Sequence, residues 1–312
     1  MSLIETLLTT SAARQTHTSM AAWFDAFNQN VRGFDSSIDR AIMGGRLSKN
    51  MSFAFASGYQ SALESLFSRG QSALPLASLC VTEEGGVRPK DIKTTLFQQE
   101  GGDYVVNGQK KFVSGANDSQ HIFVACNNGV DVNGRGVIKV VSIPSTAKGI
   151  EIIALPTLPF IPLVSHGKVI LDNVEVGQAD ILSGDGYSNY VKPFRTYEDL
   201  HVLAAILGFR LGEAIESRWG DDSIQAHLPL ILSLQALSSL MPLQSPAAHI
   251  SLAACREELK RLIALFDDRF EANDSSAYID WKRDKLLLSV ANKANEIRTN
   301  NAWKDISTSG TT

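Results

Sequence analysis

Cysteine is scarce in this 312-residue chain: Cys80, Cys126 and Cys255 are far apart and odd in number. With no Cys-x-x-Cys pair among them, neither a disulfide framework nor a zinc site is expected, no metal site is assigned, and each thiol reads as a small buried hydrophobe. Charge of one sign is missing too. Lys and Arg number 29 against 33 Asp and Glu, a formal net charge of -4, which speaks against a nucleic-acid or anionic-membrane surface. No apolar run approaches the roughly 20 residues that span a bilayer. The opening MSLIETLLTTSAARQ lacks the basic start, apolar core and cleavage site of a signal peptide. The expectation is a cytoplasmic protein. No Gly-x-Gly-x-x-Gly follows a strand-like run, so a Rossmann nucleotide site is not indicated, and no internal repeat is visible.

What is present is ordinary globular composition, 44% hydrophobic and 20% charged, on a chain long enough for one large domain or two to three small ones. The element order reads α, then β, then α. In residues 1–77 apolar residues recur at helical spacing over 21–27, and Asp35 to Asp39 resembles a helix start. Phe53, Phe55, Ala56, Tyr59, Ala62, Leu63, Leu66 and Phe67 then form an aromatic-rich amphipathic face, which Arg69-Gly70 and Pro75 close. Residues 78–177 carry short β-rich runs: Leu79-Cys80-Val81, Ile122 to Cys126, Val137 to Ile143, Ile150 to Ile153 and His166 to Leu171. Between Tyr104-Val105-Val106 and Lys111-Phe112-Val113-Ser114 stands Asn107-Gly108, which predicts a two-residue hairpin turn. This spacing points to a sandwich or barrel. Residues 178–312 return to helix. Thr196-Tyr197-Glu198-Asp199 has capping-box shape, 202–207 is apolar almost all round, and Leu228 to Leu240 and Ile250 to Arg269 are further helices. A last helix is expected over Tyr278 to Trp303, with Ala291 on its apolar side and a frayed tail beyond it.

That order, with the central block CVTEEGG…GDYVVNGQKKFVSGA…IFVACN, resembles the acyl-CoA dehydrogenase family. The family's middle domain typically begins with a Thr-Glu-Pro-plus-glycine segment and continues as G-x-Y-x-[LVI]-N-G-x-K-x-[WF]-[IV]-[TS], matched here by Thr82-Glu83 and by Gly102 through Ser114. Leu171-Asp172-Asn173-Val174-Glu175-Val176 is similar to the family's exit from that domain. The match is good over roughly 74–212, weak before Asp35 and poor after Gly220. It implies an α+β multidomain chain: an abbreviated N-terminal helical domain (1–77), a middle β-sandwich or barrel domain (78–177) and a truncated C-terminal helical bundle (178–312).

The resemblance implies a chemistry: α,β-dehydrogenation of an acyl-CoA or other acyl thioester, with FAD taking the hydride. Leu79, Val81 and Thr82 fall where the family lines the flavin edge. Phe112, Val113 and Ser114 fall where it places an aromatic wall and a second hydroxyl. Taken alone, Val81, Phe112 and Val113 read equally as strand core, and Thr82 and Ser114 as turn hydrogen-bonders. The resemblance implies Glu198 as the catalytic base, ten residues before Gly208, as in the minority of the family that carries its base on the helix after the middle domain. The competing reading is that Glu198 and Asp199 simply favour a first helical turn. His201 lies one turn along.

Some expected features depart from the family pattern. No Ser follows Gly85-Gly86, where Arg88 could pair with a phosphate instead. After Arg218-Trp219-Gly220 come Asp221 and Asp222, a poor setting for a pyrophosphate. The expected assembly is a homo-oligomer, since the family builds its flavin site across subunits. Two alternatives stand beside the enzyme: a non-catalytic subunit in a hetero-oligomer with a fuller-length homologue, and a binding scaffold that has lost FAD.

Overall fold

The structure, a computed structural model, describes residues 2–68, 74–240, 242–272, 276–290 and 292–309. The helix end at Arg69-Gly70 and the position of Ala291 lie outside them, as do the last three residues of the tail. The chain divides into two compact units. One comprises Met1–Ser65, Pro159–Leu163 and Thr196–Thr312; the other comprises Leu66–Leu158 and Val164–Arg195.

The first unit is helical. α1 (Leu3–Thr9) begins with a capping box in which Ser2 and Glu5 satisfy each other's amides, and Ser19 caps α2 (Met20–Val31). α3 (Ser37–Leu47) and α4 (Met51–Phe67) follow. Phe53, Phe55, Tyr59, Leu63 and Phe67 are all buried, as the aromatic-rich periodicity of α4 requires. α5 (Lys192–Glu216), α6 (Asp221–Ser238) and α7 (Pro246–Glu271) complete the main bundle, and Pro246 occupies the first turn of α7, where its missing N–H costs nothing. α3 meets α5 backbone to backbone. A Cβ on Gly208 would stand 2.1 Å from the Ile42 carbonyl oxygen, and one on Gly45 would stand 1.9 Å from the Ala205 carbonyl oxygen.

Three helical expectations need correction. The long helix predicted over Tyr278 to Trp303 is interrupted by a turn at Lys285-Leu286, between α8 (Ser276–Asp284) and α9 (Leu287–Val290); α10 (Asn292–Ser309) lies beyond position 291. Asp284 turns inward at that interruption: it is buried, accepts the Ile161 N–H at 2.8 Å and is paired with Arg283. Instead of fraying from Ser307, the chain stays helical to Ser309. The capping box at Thr196 does not form either. A π-helical turn, Tyr187–Val191, already leads into α5 at Lys192, so Thr196 lies inside the helix. Its hydroxyl instead receives a bond from Arg298 Nη1 at 3.2 Å.

The second unit is built on one mixed sheet. Its strands are β1 (Ala77–Cys80), β2 (Thr95–Gln98), β3 (Tyr104–Ser114), β4 (His121–Val130), β5 (Gly136–Pro144), β6 (Ile150–Ala154) and β7 (His166–Val176). They run in the order β1-β4-β2-β3-β7-β6, with β5 on β4. β1 and β2 pair with β4 in parallel; the other pairings are antiparallel. The core is aliphatic, including Cys80, Val106, Val113, Ile122, Val124, Cys126, Val141, Val169 and Val174.

The hairpin at Asn107-Gly108 is absent: β3 runs straight through it. The dipeptide marks a β-bulge against β7, where the register shifts between Val106 and Gly108. Asn107 Oδ1 accepts the Asn173 N–H at 2.8 Å, and Asn173 itself has φ +52. Gly108, at φ +150, leaves room for Thr94, whose Cα would lie 2.6 Å from a Cβ there. A positive φ and a close backbone approach select the same residues as a tight turn does. Among the described residues no helix is long and apolar enough to cross a membrane.

Candidate functional site

The exit of β1 and the last turn of β3 lie side by side. Ser78 Oγ donates to the Ser114 carbonyl at 2.6 Å, and the Lys111 N–H donates to the Thr82 carbonyl at 2.8 Å. Thr82 is thereby brought next to the segment from Phe112 to Ser114. A second bulge in β3, between Lys110 and Val113, sets what this segment presents. Strict alternation would put Phe112 on the same face as the fully buried Lys110. The bulge instead holds Phe112 at φ +58 and turns its ring outward, 61% exposed, while Val113 goes into the core at 2%. The Lys111 ammonium lies 5.8 Å from the Phe112 ring centroid.

Beneath this surface is a buried ion pair that the sequence reading passed over. Lys110 Nζ donates to Glu83 Oε1 at 2.7 Å, to the Ala125 carbonyl at 2.6 Å and to the Val81 carbonyl at 3.4 Å. Glu83 also accepts the Lys93 N–H (2.8 Å), the Thr94 N–H (3.0 Å) and the Thr94 hydroxyl (2.8 Å). Burial alone would raise the Glu83 pKa; the Lys110 ammonium and the two amides outweigh it and hold the carboxyl below its ordinary range. The pair ties the loop after β1 to β3 and β4, fixing where Thr82 stands. No local pattern gave the pair away: the neighbours of Lys110 two residues away are Gly108 and Phe112, and only the sheet register brings Lys110 to Glu83.

Ser114 has a second unforeseen partner. His166 Nδ1 lies 3.1 Å from the Val164 carbonyl and must carry its proton there, so Nε2 accepts from the Ser114 hydroxyl at 3.2 Å. Burial lowers the His166 pKa. Of the other expected edge residues, Leu79 is buried in β1, and Val81 packs against Ile92, Ala125 and Ile138. The Val113 side chain belongs wholly to the core, so only its backbone can meet a ligand. Thr82 is half-buried, and its hydroxyl has no hydrogen bond among the described residues.

The residues weighed for phosphate binding are committed elsewhere. Arg88 Nε is paired with Asp91 at 2.8 Å. Asp222 is held by both terminal nitrogens of Arg269, each at 2.8 Å, which keeps its carboxyl at a pKa of about 2. The buried thiols of Cys80 and Cys126 are pushed up to about 12 by desolvation and are poor nucleophiles. Among the described residues no three His, Cys, Asp or Glu gather as metal ligands.

Glu198 stands in the helical unit, well inside α5 and half-buried. Its position owes nothing to a first-turn dipole preference, because the helix starts at Lys192. The two adjacent acids have different surroundings. Asp199 is clasped by Arg298 and lies 3.6 Å from Arg256, with 8% of its side chain exposed, as a structural ion pair. His201 is a core histidine: Nδ1 lies 2.7 Å from the Tyr197 carbonyl and Nε2 lies 2.9 Å from the Ser37 hydroxyl. Burial pushes its pKa down to about 4.

Residues 78–174 match the family model described as the acyl-CoA dehydrogenase middle domain. A curated relative, "Probable acyl-CoA dehydrogenase YdiO" of Escherichia coli K12, is 28% identical over 134 residues, 43% of this chain and 34% of that protein. The match therefore spans about a third of the relative's length. Among solved structures, butyryl-CoA dehydrogenase from Megasphaera elsdenii superposes with a TM-score of 0.65 at 12% identity, over 96% of both chains. An FAD-dependent dehydrogenase superposes at 0.71 and 13% identity, over 98% of this chain and 96% of that one. FMN-bound TdsC from Paenibacillus sp. A11-2 superposes at 0.65 and 17%, over 96% and 95%. These likenesses extend the fold beyond the sheet unit to the helices on either side of it in sequence. With the middle-domain match, they show an acyl-CoA dehydrogenase middle domain over residues 78–174, in a chain whose fold is that of these dehydrogenase structures.

Proposed function

We propose that the chain is a flavin oxidoreductase that introduces an α,β double bond into an acyl thioester, with FAD as hydride acceptor and Glu198 as base. One observation carries the reading: the bulge at the end of β3 that turns Phe112 outward beside Thr82. A strand core has no use for an exposed phenyl held at positive φ, and such local strain favours a role in binding. The residues fit the ring end of a flavin. Thr82 offers an uncommitted hydroxyl, Phe112 an apolar wall, and the backbone of Val113 and Ser114 polar groups at the edge. Leu79 and Val81 support that edge from β1. The Ser114 hydroxyl, by donating to His166, presents its lone pairs.

A bound FAD would supply the acceptor for the β-hydride. Glu198 takes the α-proton onto a carboxylate oxygen from its half-buried place on α5. Arg88, the cation weighed for the phosphate end, is paired with Asp91. The reading therefore carries the expectation of a homo-oligomer whose second copy supplies those contacts. Residues 78–177 form the flavin-holding domain in this account, between helical segments 1–77 and 178–312.

The test is Glu198→Gln in protein reconstituted with FAD, assayed by dye reduction with acyl-CoA esters of graded chain length. The expected result is a loss of about a thousandfold or more in turnover with flavin still bound. Turnover within a few-fold of the parent would place the base elsewhere.

A further inference from the structure

Arg210, on α5, is fully buried in the helical unit, and its guanidinium is only partly answered. Nη1 donates to Asp267 at 3.1 Å, but Asp267 also serves Lys285 at 2.9 Å and the Trp281 indole N–H at 2.7 Å. Nε and Nη2 have no hydrogen-bond partner among the described residues. The guanidinium carbon lies 4.9 Å from the Trp281 ring centroid, 5.3 Å from that of Trp219 and 6.0 Å from that of Phe270. Those aromatic faces stabilise the charge without accepting its protons.

Three more buried polar atoms in this neighbourhood lack partners: Trp219 Nε1, Ser223 Oγ and His227 Nε2. Ser223 and His227 stand one turn apart on α6, both fully buried. The Phe266 ring, one turn before Phe270 on α7, packs 6.1 Å from that of His227. His227 Nδ1 lies 2.7 Å from the Ser223 carbonyl and donates to it, which leaves Nε2 as an acceptor. Burial is the larger cause and Arg210 a further one in bringing the His227 pKa down to about 4, so the ring is neutral and senses a positive potential. Burial likewise lowers the Arg210 pKa, to about 10. Glu213, the next acid on α5, is occupied by Arg14.

The donor count decides the chemistry. Arg210 leaves three protons on Nε and Nη2, and Trp219 and Ser223 each add one. Against these stand one lone pair on His227 and those of the Ser223 hydroxyl. Donors in excess, on a buried cation whose one bonded carboxylate is shared, call for a guest that accepts without donating and carries negative charge.

We propose that this buried polar cluster on α5, α6 and the turn between them binds a small monovalent anion of the halide class, held by Arg210 Nε and Nη2 with Trp219 Nε1 and Ser223 Oγ as further donors. The site is independent of the flavin reading and lies wholly within the helical unit. Its occupant stabilises the fold and links stability to the anion present.

Two measurements on the full chain test it. Crystals grown with sodium bromide should show an anomalous peak within about 3.5 Å of Arg210 Nε and Nη2. Exchanging gluconate for chloride at constant ionic strength should raise the Tm saturably by a few degrees. Trp219→Phe, which keeps the ring and removes the N–H, should shrink that rise several-fold, and Arg210→Met should abolish it where the variant folds. Density that accounts only for water with no anomalous signal, or equal Tm in the two salts, would overturn the proposal.

Discussion

Lys110→Met would remove the ammonium of a buried pair and leave Glu83 charged with nothing but dipoles around it. The side chains are 0% and 7% exposed, and the ammonium makes two short bonds besides the contact with Val81. Breaking one half of such a pair costs about 3–5 kcal/mol, because the desolvation penalty of the survivor is no longer offset. At 1.4 kcal/mol per decade, this is roughly two to three and a half orders of magnitude in the opening equilibrium of the sheet unit. The assay is amide hydrogen exchange on β3 and β4, read at Val124 to Cys126, in the full chain. The loss should depend on pH with a definite sign. In the parent, the Glu83 pKa is lowered, so its contribution is present above 4.5 and fades as pH falls through the lower folded value. In the variant, burial raises the Glu83 pKa instead, so acid neutralises the orphaned carboxylate and the deficit shrinks. A change in protection below about tenfold at neutral pH would refute the claim that this pair holds the loop after β1 in place.

Gly208→Ala should lower Tm by at least roughly 5 °C, since the new methyl would sit 2.1 Å from the Ile42 carbonyl oxygen and α3 and α5 must part to admit it; calorimetry measures this. Gly108→Ala should cost about 2–3 kcal/mol in urea denaturation, from positive φ combined with the Thr94 backbone 2.6 Å away. The two adjacent acids of α5 should separate cleanly. Asp199→Asn leaves Arg298 and Arg256 short of charge and lowers stability by about 3 kcal/mol. Glu198→Gln removes turnover, read by dye reduction with acyl-CoA while the flavin stays bound.

How much was legible follows from which signals are local. Runs of apolar residues located α4, α7, β4, β5 and β6, because each element carries that signal within its own length. The errors arose where distant residues decided the outcome. Asn107-Gly108 has the chemistry of a tight turn, and only β7 and Thr94 make it a bulge instead. Thr196 has the chemistry of an N-cap, and only the preceding π-helical turn places it mid-helix. Asp284 breaks a strongly periodic helix because Ile161, far away in sequence, needs an acceptor. β2 was overlooked because a four-residue strand with one buried side chain leaves almost no pattern. In the candidate site, residue types were legible through the family motif, but their facing was not. Val113 points inward and Phe112 outward because of a bulge that alternation cannot foresee, and Glu83, Lys110 and His166 emerged only with the sheet register.

The absorbance of freshly purified protein between roughly 350 and 500 nm, where oxidised flavins absorb, tests the central claim most directly. The account predicts a yellow protein whose visible band bleaches on anaerobic addition of an acyl-CoA that it oxidises. A colourless protein that takes up no added FAD, and gains no thermal stability from it, would contradict the account.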